Sequence, residues 1–229
     1  MKKIIIFAFV LLTIPLSYAQ NYDGIDISHH NGRINWRQLP KTLDFIYIKA
    51  TEGGTYVDQY YIRNVDSATL YKFNIGSYHY FRMTSSAEKQ FANFKKTVVK
   101  AKQKLIPMVD VELNGKDDNG WNIDGYHTSV NAEKNQIIKS LKTLLANIEK
   151  EYGCRPMIYC TWAAYVQVVK GNFDNYKIYL GNYAPTPKIN NYTIWQYSEK
   201  ESITGIPKHT DVCVFNKGKC IKDIEMPNK

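Results

Sequence analysis

Beyond its first twenty residues the chain is punctuated by short apolar runs, each about the length of a single β-strand, and this rhythm constrains the fold more than any one motif. Eight runs recur in order: "YDGIDIS", "DFIYIKA", "NIGSYHYF", "LIPMVDVE", "RPMIYCT", "KIYLGNY", "YTIWQYS" and "DVCVF". Between the earlier runs the period changes from two to that of a helix. Tyr61, Val65 and Ala68 share one face of a first helical segment, as do Phe91, Phe94, Val98 and Ala101 of a second, for which Ser85 and Glu88 form a capping box. Ile137, Leu141, Leu144 and Ile148 stripe a third that stops at Gly153, and a shorter helix is expected from Ala163 to Val169. Past Lys170 the runs follow too closely for full helices to intervene. The expected fold is an α/β barrel of eight strands, with helices mainly in the first two-thirds and a β-rich last part. Neither internal repeats nor a second domain is visible.

The first residues do not belong to that pattern. "MKKIIIFAFVLLTIPLSYAQ" has two lysines, an apolar run short for a membrane span, and small residues Ser17 and Ala19 before Gln20. Residues 1–19 are expected to be a secretory signal peptide, and 20–229 a single catalytic domain exported to the periplasm or the exterior, with no membrane span in the mature chain. The net charge of +9 becomes +7 without Lys2 and Lys3. That excess suits an anionic partner such as a cell wall, although many of the lysines crowd into "EKQFANFKKTVVKAKQK", a helix's solvated face. No nucleic-acid partner is expected, and the protein is expected to be monomeric. In an exported chain four cysteines are free to form disulfides. Cys154 and Cys160 flank a strand and would lie roughly 20 Å apart when extended, too far to pair. Cys213 and Cys220 flank "VFNKGK", a candidate hairpin turning near Lys217–Gly218, so a disulfide between them or free thiols are both open. Zinc held by His209, Cys213 and Cys220 lacks the tight ligand spacing such sites use.

Functional residues of an α/β barrel collect at the C-terminal ends of its strands. Here those ends carry acids. Asp26 closes the first strand, Asp110 and Glu112 close the fourth, and Asp211 opens the last run. Period two puts Asp110 and Glu112 on one face, their Cα atoms roughly 6.5–7 Å apart. Two carboxylates that close repel, so one keeps its proton to a higher pH, as a general acid beside an ionised partner requires. A calcium or magnesium site built from the four acids is the rival reading, without an EF-hand loop to support it. No G-x-S-x-G elbow, P-loop or G-x-G-x-x-G occurs. No cofactor is expected. Aromatics gather at the same strand ends: Tyr78 and Tyr80, Tyr159 and Trp162, Tyr183, then Trp195 and Tyr197. Such a set suits a saccharide groove, because sugar rings stack on aromatic faces. His79 alternates with Tyr78 and Tyr80 and is expected to be structural, while His29 and His30 are expected at the edge of the site.

Taken in order, "GIDISHHNGRINW", "FIYIKATEG", "IGSYHYF", "MVDVE", "PMIYCT", "WQYS" and "TDVCVF" resemble the glycoside hydrolase family 25 muramidases, the Chalaropsis-type lysozymes, over nearly the whole mature chain. The resemblance implies a flattened TIM-like (β/α) barrel and hydrolysis of the β-1,4 bond between N-acetylmuramic acid and N-acetylglucosamine in bacterial peptidoglycan. It implies Glu112 as general acid, Asp110 as its partner, and Asp26 and Asp211 as flanking aspartates. Lys49, Glu52, Tyr78, Tyr80 and Trp195 fall where the family lines its groove, and Tyr159, Tyr183 and Gln196 complete the expected substrate-binding set. Tyr179 stands where a tryptophan is common, a difference expected to alter a subsite. In a retaining mechanism Asp110 either attacks the anomeric carbon or orients the substrate's own acetamido carbonyl to do so. A silent saccharide-binding barrel and a chitinase-like hydrolase are the alternative functions.

Overall fold

A computed structural model of the chain describes residues 22–113, 116–117, 120–123, 126–128, 132–183, 186–187 and 189–227; the expected signal peptide lies outside them. All eight expected strands are present: β1 (Gly24–Ile27), β2 (Phe45–Glu52), β3 (Ile75–Tyr80), β4 (Met108–Val111), β5 (Met157–Thr161), β6 (Ile178–Gly181), β7 (Ile194–Glu201) and β8 (Thr210–Phe215). Neighbours from β1 to β7 run parallel, and β8 lies antiparallel to both β7 and β1, which closes the sheet into a mixed barrel. Helices α1 (Tyr61–Leu70), α2 (Ala87–Thr97) and α3 (Ala132–Tyr152) fall in the first two-thirds. After β5 come only one turn of helix, Trp162–Ala164, and a π-helical segment, Tyr165–Val169.

Alternation along the strands builds two apolar layers. On β2, Ile46, Ile48 and Ala50 face outward into the layer that α1 to α3 cover, while Phe45 and Tyr47 face the barrel interior. The interior also takes Tyr78, Met108, Met157, Tyr159, Tyr179, Ile194 and Cys213. Aromatics this large fit because glycines on adjacent strands make room. A Cβ on Gly76 would sit 2.4 Å from the Tyr47 ring, and one on Gly181 would sit 2.3 Å from the Tyr159 hydroxyl. Residues after β8 plug the N-terminal end: Ile224 is fully buried, and its carbonyl accepts from Ile106 N at 2.9 Å.

Four local expectations are corrected. The α2 cap is Ser86, whose Oγ accepts from Lys89 N, whereas Ser85 Oγ accepts from Gly54 N. That helix ends at Thr97, because the β-branched pair Val98–Val99 leaves helical geometry, and its inward face is Ala87, Gln90 and Phe94. No hairpin joins Cys213 to Cys220: the chain leaves β8 through a turn into a 3-10 segment, Ile221–Asp223. All four thiols are free, Cys213 deep in the barrel and Cys220 exposed. The described chain also contains a three-stranded antiparallel sheet, Lys116–Asp117, Gly120–Ile123 and Tyr126–Thr128, and a two-residue strand, Tyr56–Val57, on the edge of β2. These pieces are too short to carry a period.

Candidate active site

At the C-terminal end of the barrel the strand-end acids share one hollow of about 490 Å³, into which Asp26, Asp110, Glu112 and Asp211 all project. Register explains the convergence. Asp26 is the direct cross-strand partner of Asp211, and Asp110 pairs with Tyr80 on one side and Tyr159 on the other. Lys49, Tyr78, Tyr80, Tyr159, Tyr183 and Gln196 complete the expected part of the wall. Two expected residues stand elsewhere. Trp195 points outward, its indole N–H donating to Asn182 O at 2.8 Å and its ring packed near Tyr197. Glu52 lies behind Lys49 rather than on the surface of the hollow. A wider hollow of about 940 Å³, between Lys100, Tyr152 and Met226, opens near the N-terminal ends of β4 and β5 and receives none of the strand-end acids. The smaller one is therefore the candidate site.

Asp26 and Asp211 are hydrogen bonded to each other and largely withdrawn from water, so together they favour a single negative charge. Burial is the main cause of the rise in both pKa values. Asp26 reaches about 6, restrained by donors from Tyr179, Gln196 and Asp211, while Asp211 is driven to about 9 by burial and then by the charge of Asp26. The donors are explicit: Tyr179 OH and Gln196 Nε2 reach Asp26 Oδ2 at 2.7 and 3.0 Å. Gln196 is fixed in turn, since its Oε1 accepts from Tyr159 OH at 2.7 Å and Tyr183 OH at 3.0 Å. Tyr179 is thus no subsite residue. It is fully buried beneath the hollow, where its hydroxyl also lies 2.9 Å from Cys213 Sγ.

The opposite wall is a chain of alternating charge. Glu52 takes Lys49 Nζ at 2.6 Å and the Arg82 guanidinium, whose Nε donates at 2.8 Å. Burial pushes the Glu52 carboxyl up, but these two cations outweigh it and hold it below its usual range. Lys49 Nζ also sits 4.6 Å from the centre of the Tyr80 ring, and Tyr80 OH donates to Glu112 Oε2 at 3.3 Å. His79 faces away, as alternation requires. Thr51 Oγ1 lies 2.7 Å from its Nδ1 and Gln90 Oε1 lies 3.0 Å from its Nε2, and burial lowers its pKa to about 4, so the ring is neutral. His30 does line the rim. His29 turns instead to Asp58, with Nδ1 2.7 Å from Oδ2. Ser28, Asn31, Met108, Thr161, Glu199 and His209 also line the hollow and were not anticipated. Period two from Asp26 and Asp110 would have found Ser28 and Met108; Glu199 lies beyond a β7 bulge, Asn31 ends the 3-10 segment His29–Asn31, and His209 lies in a loop. Among the described residues no group of three or more His, Cys, Asp and Glu side chains is arranged to hold a metal ion.

The sequence matches the family model described as "Glycosyl hydrolases family 25" over residues 25–206. The chain belongs to glycosyl hydrolase family 25. Among this family-25 chain's relatives, YegX of Escherichia coli strain K12 is 30% identical over 90% of this chain and 72% of its own length. The autolytic lysozyme of Clostridium acetobutylicum is 27% identical over 85% of this chain and 56% of its own length. A family 25 glycosyl hydrolase from Bacillus anthracis superposes with a TM-score of 0.73 at 30% identity, covering 85% of this chain and 89% of the other. Membership makes the chain a glycoside hydrolase, and it accounts for a barrel whose acids meet at one end.

Proposed function

We propose that this protein is a lysozyme that cuts the β-1,4 bond between N-acetylmuramic acid and N-acetylglucosamine in peptidoglycan, with Glu112 as general acid and then base. The observation that carries the reading is the meeting of four strand-end carboxylates in one aromatic-walled hollow of a family-25 chain. The lysozyme names of the relatives from C. acetobutylicum and Streptomyces globisporus, the latter 25% identical, support the substrate.

Glu112 is partly exposed and is held by the Tyr80 hydroxyl at the mouth, where a leaving oxygen would stand. It gives its proton to that oxygen as the C1–O bond breaks. Asp110, buried one alternation deeper, orients the acetamido group at C2 so that its carbonyl oxygen bonds to C1 and forms an oxazolinium. Glu112, now ionised, takes a proton from water as that water opens the ring, which leaves the anomeric configuration retained. Asp26 and Asp211 together place one negative charge beneath the reacting sugar, where an oxocarbenium-like transition state gains from it.

Digestion of purified peptidoglycan, followed by borohydride reduction and mass analysis, tests the bond. Reduced muramic acid ends are expected; reduced glucosamine ends, or no new ends, would overturn the assignment. Glu112→Gln should keep the fold and lose nearly all turnover. Residues 1–19 act as the export signal of a single catalytic domain, 20–229, that works as a monomer at the wall. Among the described residues no helix is long and apolar enough to cross a membrane. An exported protein whose N-terminus is Gln20 is the result expected from terminal sequencing.

A further inference from the structure

The catalytic hollow does not end at its rim. His30 and His209 line it and also line a second hollow of about 500 Å³, completed by Ser202, Ile206, Pro207 and Lys208 from the β7–β8 connection. The two histidines form the boundary because Asn31 ties their segments together: its Nδ2 donates to His209 O at 3.0 Å and lies 3.2 Å from Thr210 Oγ1. The connection is braced from below, where Asn35 N donates to Gly205 O at 2.7 Å. The second hollow is therefore a built extension of the first.

Its charge is opposite to that of the catalytic floor. Lys208 is exposed on it, Lys49 stands on the wall of the catalytic hollow, and His30 and His209 lie at the junction. Asp58, the acid that acts on His30, is committed: His29 N, His29 Nδ1 and Tyr60 N all engage its carboxylate at 2.7–2.9 Å. The His30 imidazole registers the resulting field. Burial first, then His29, Lys49 and Lys208, hold its pKa below the usual value, with Asp58 alone opposing among the charges that act on it. The remainder of the wall, Ile206 and Pro207, is apolar.

We infer that this second hollow is a subsite for the short acidic peptide that branches from the lactyl group of muramic acid, its carboxylates facing Lys208 and its methyl groups facing Ile206 and Pro207. The inference rests on the muramidase reading, since only a branch of the sugar held over the acids enters through the shared rim. A phosphate-rich wall polymer would satisfy Lys208 equally, but it would leave the apolar wall of Ile206 and Pro207 without a partner. That wall therefore favours the peptide, whose side chains include methyl groups.

The test compares peptidoglycan bearing its peptides with the same glycan stripped by an amidase, in wild type and Lys208→Glu. Wild type should cut the peptide-bearing glycan with the higher kcat/KM, through KM. In the exposed charge-reversal variant the ratio of the two kcat/KM values should fall about tenfold, again through KM, and added salt should shrink the wild-type ratio. The peptides released by the amidase, titrated against the whole protein, should shift His30 and His209 imidazole signals in wild type and do so more weakly in the variant. A ratio unmoved by Lys208→Glu, with both substrates still cut, overturns the subsite and leaves the muramidase reading standing. A ratio that follows removal of wall phosphate polymer rather than peptide overturns it as well. Failure of wild type to cut either glycan, while the peptides still shift both histidines, would sink the muramidase reading alone and support peptide binding.

Discussion

Replacing Asp211 with asparagine should stabilise the fold, and increasingly so as the pH rises. In the barrel Asp26 and Asp211 face each other across the β1–β8 pair, and their pKa values are raised to about 6 and about 9. An unfolded chain ionises both near about pH 3.9. Between those limits the native state binds more protons than the unfolded state, so the stability gained from protonation is full at low pH and is lost as pH climbs. Two protons are taken up on folding from about pH 4 to 6, and one from about 6 to 9. Each proton contributes a slope of about 1.4 kcal/mol per pH unit. Asparagine copies the shape of the protonated carboxyl and has an N–H that can donate to Asp26 at any pH, which removes one proton of uptake. From pH 6 to 8 the variant should therefore gain up to about 3 kcal/mol on wild type, the upper bound for a site that water partly reaches. Urea unfolding at pH 6, 7 and 8, followed by tryptophan fluorescence, measures the difference directly. Parallel stability curves for the two proteins would refute the shared proton. Turnover should fall in the same variant, since a charge-stabilising pair has been altered to favour folding.

Tyr179→Phe removes one of the hydrogen bonds that hold Asp26 ionised, so the acid limb of the kcat/KM profile should move up by about 1–2 pH units while KM changes little; an unmoved limb would show the hydroxyl to be idle. Gly76→Ala places a methyl group 2.4 Å from the Tyr47 ring in the barrel interior and should cost about 1–3 kcal/mol, read as a lower urea midpoint at unchanged slope. Gln90→Ala strips the carbonyls of Arg82 and Ser85 of a buried amide donor and should cost about 2–4 kcal/mol, read the same way. A cost under about 0.5 kcal/mol would mean that water replaces the amide. Asp110→Asn should lower kcat on peptidoglycan by at least about a hundredfold, and substrates lacking the acetamido group should be poor; equal cleavage of such substrates would exclude assistance by that group.

What the sequence reveals about this barrel is set by the reach of each physical signal. Strand and helix periods are local, and all eight barrel strands follow from them because each buries a face against a neighbour. The acids at strand ends were legible for a related reason: a charge that closes an apolar run needs an open end of the barrel to face. Period two also had unused information. It turned His79 away from Tyr78 and Tyr80 correctly, and applied to "IWQYS" it separates Trp195 from Gln196, so both could not face the same groove. Strict alternation would set Glu52 on the face opposite Lys49; β2 slips register between Lys49 and Thr51, and that bulge brings the two side chains together. Tyr179 marks the other limit. Its hydroxyl reaches an acid 153 positions earlier in the chain, through a barrel interior whose packing is decided by glycines on adjacent strands. No window of sequence contains that contact, yet it sets which aspartate keeps the charge. The gathering of the acids was therefore readable from strand ends, whereas their protonation depends on closure of the barrel.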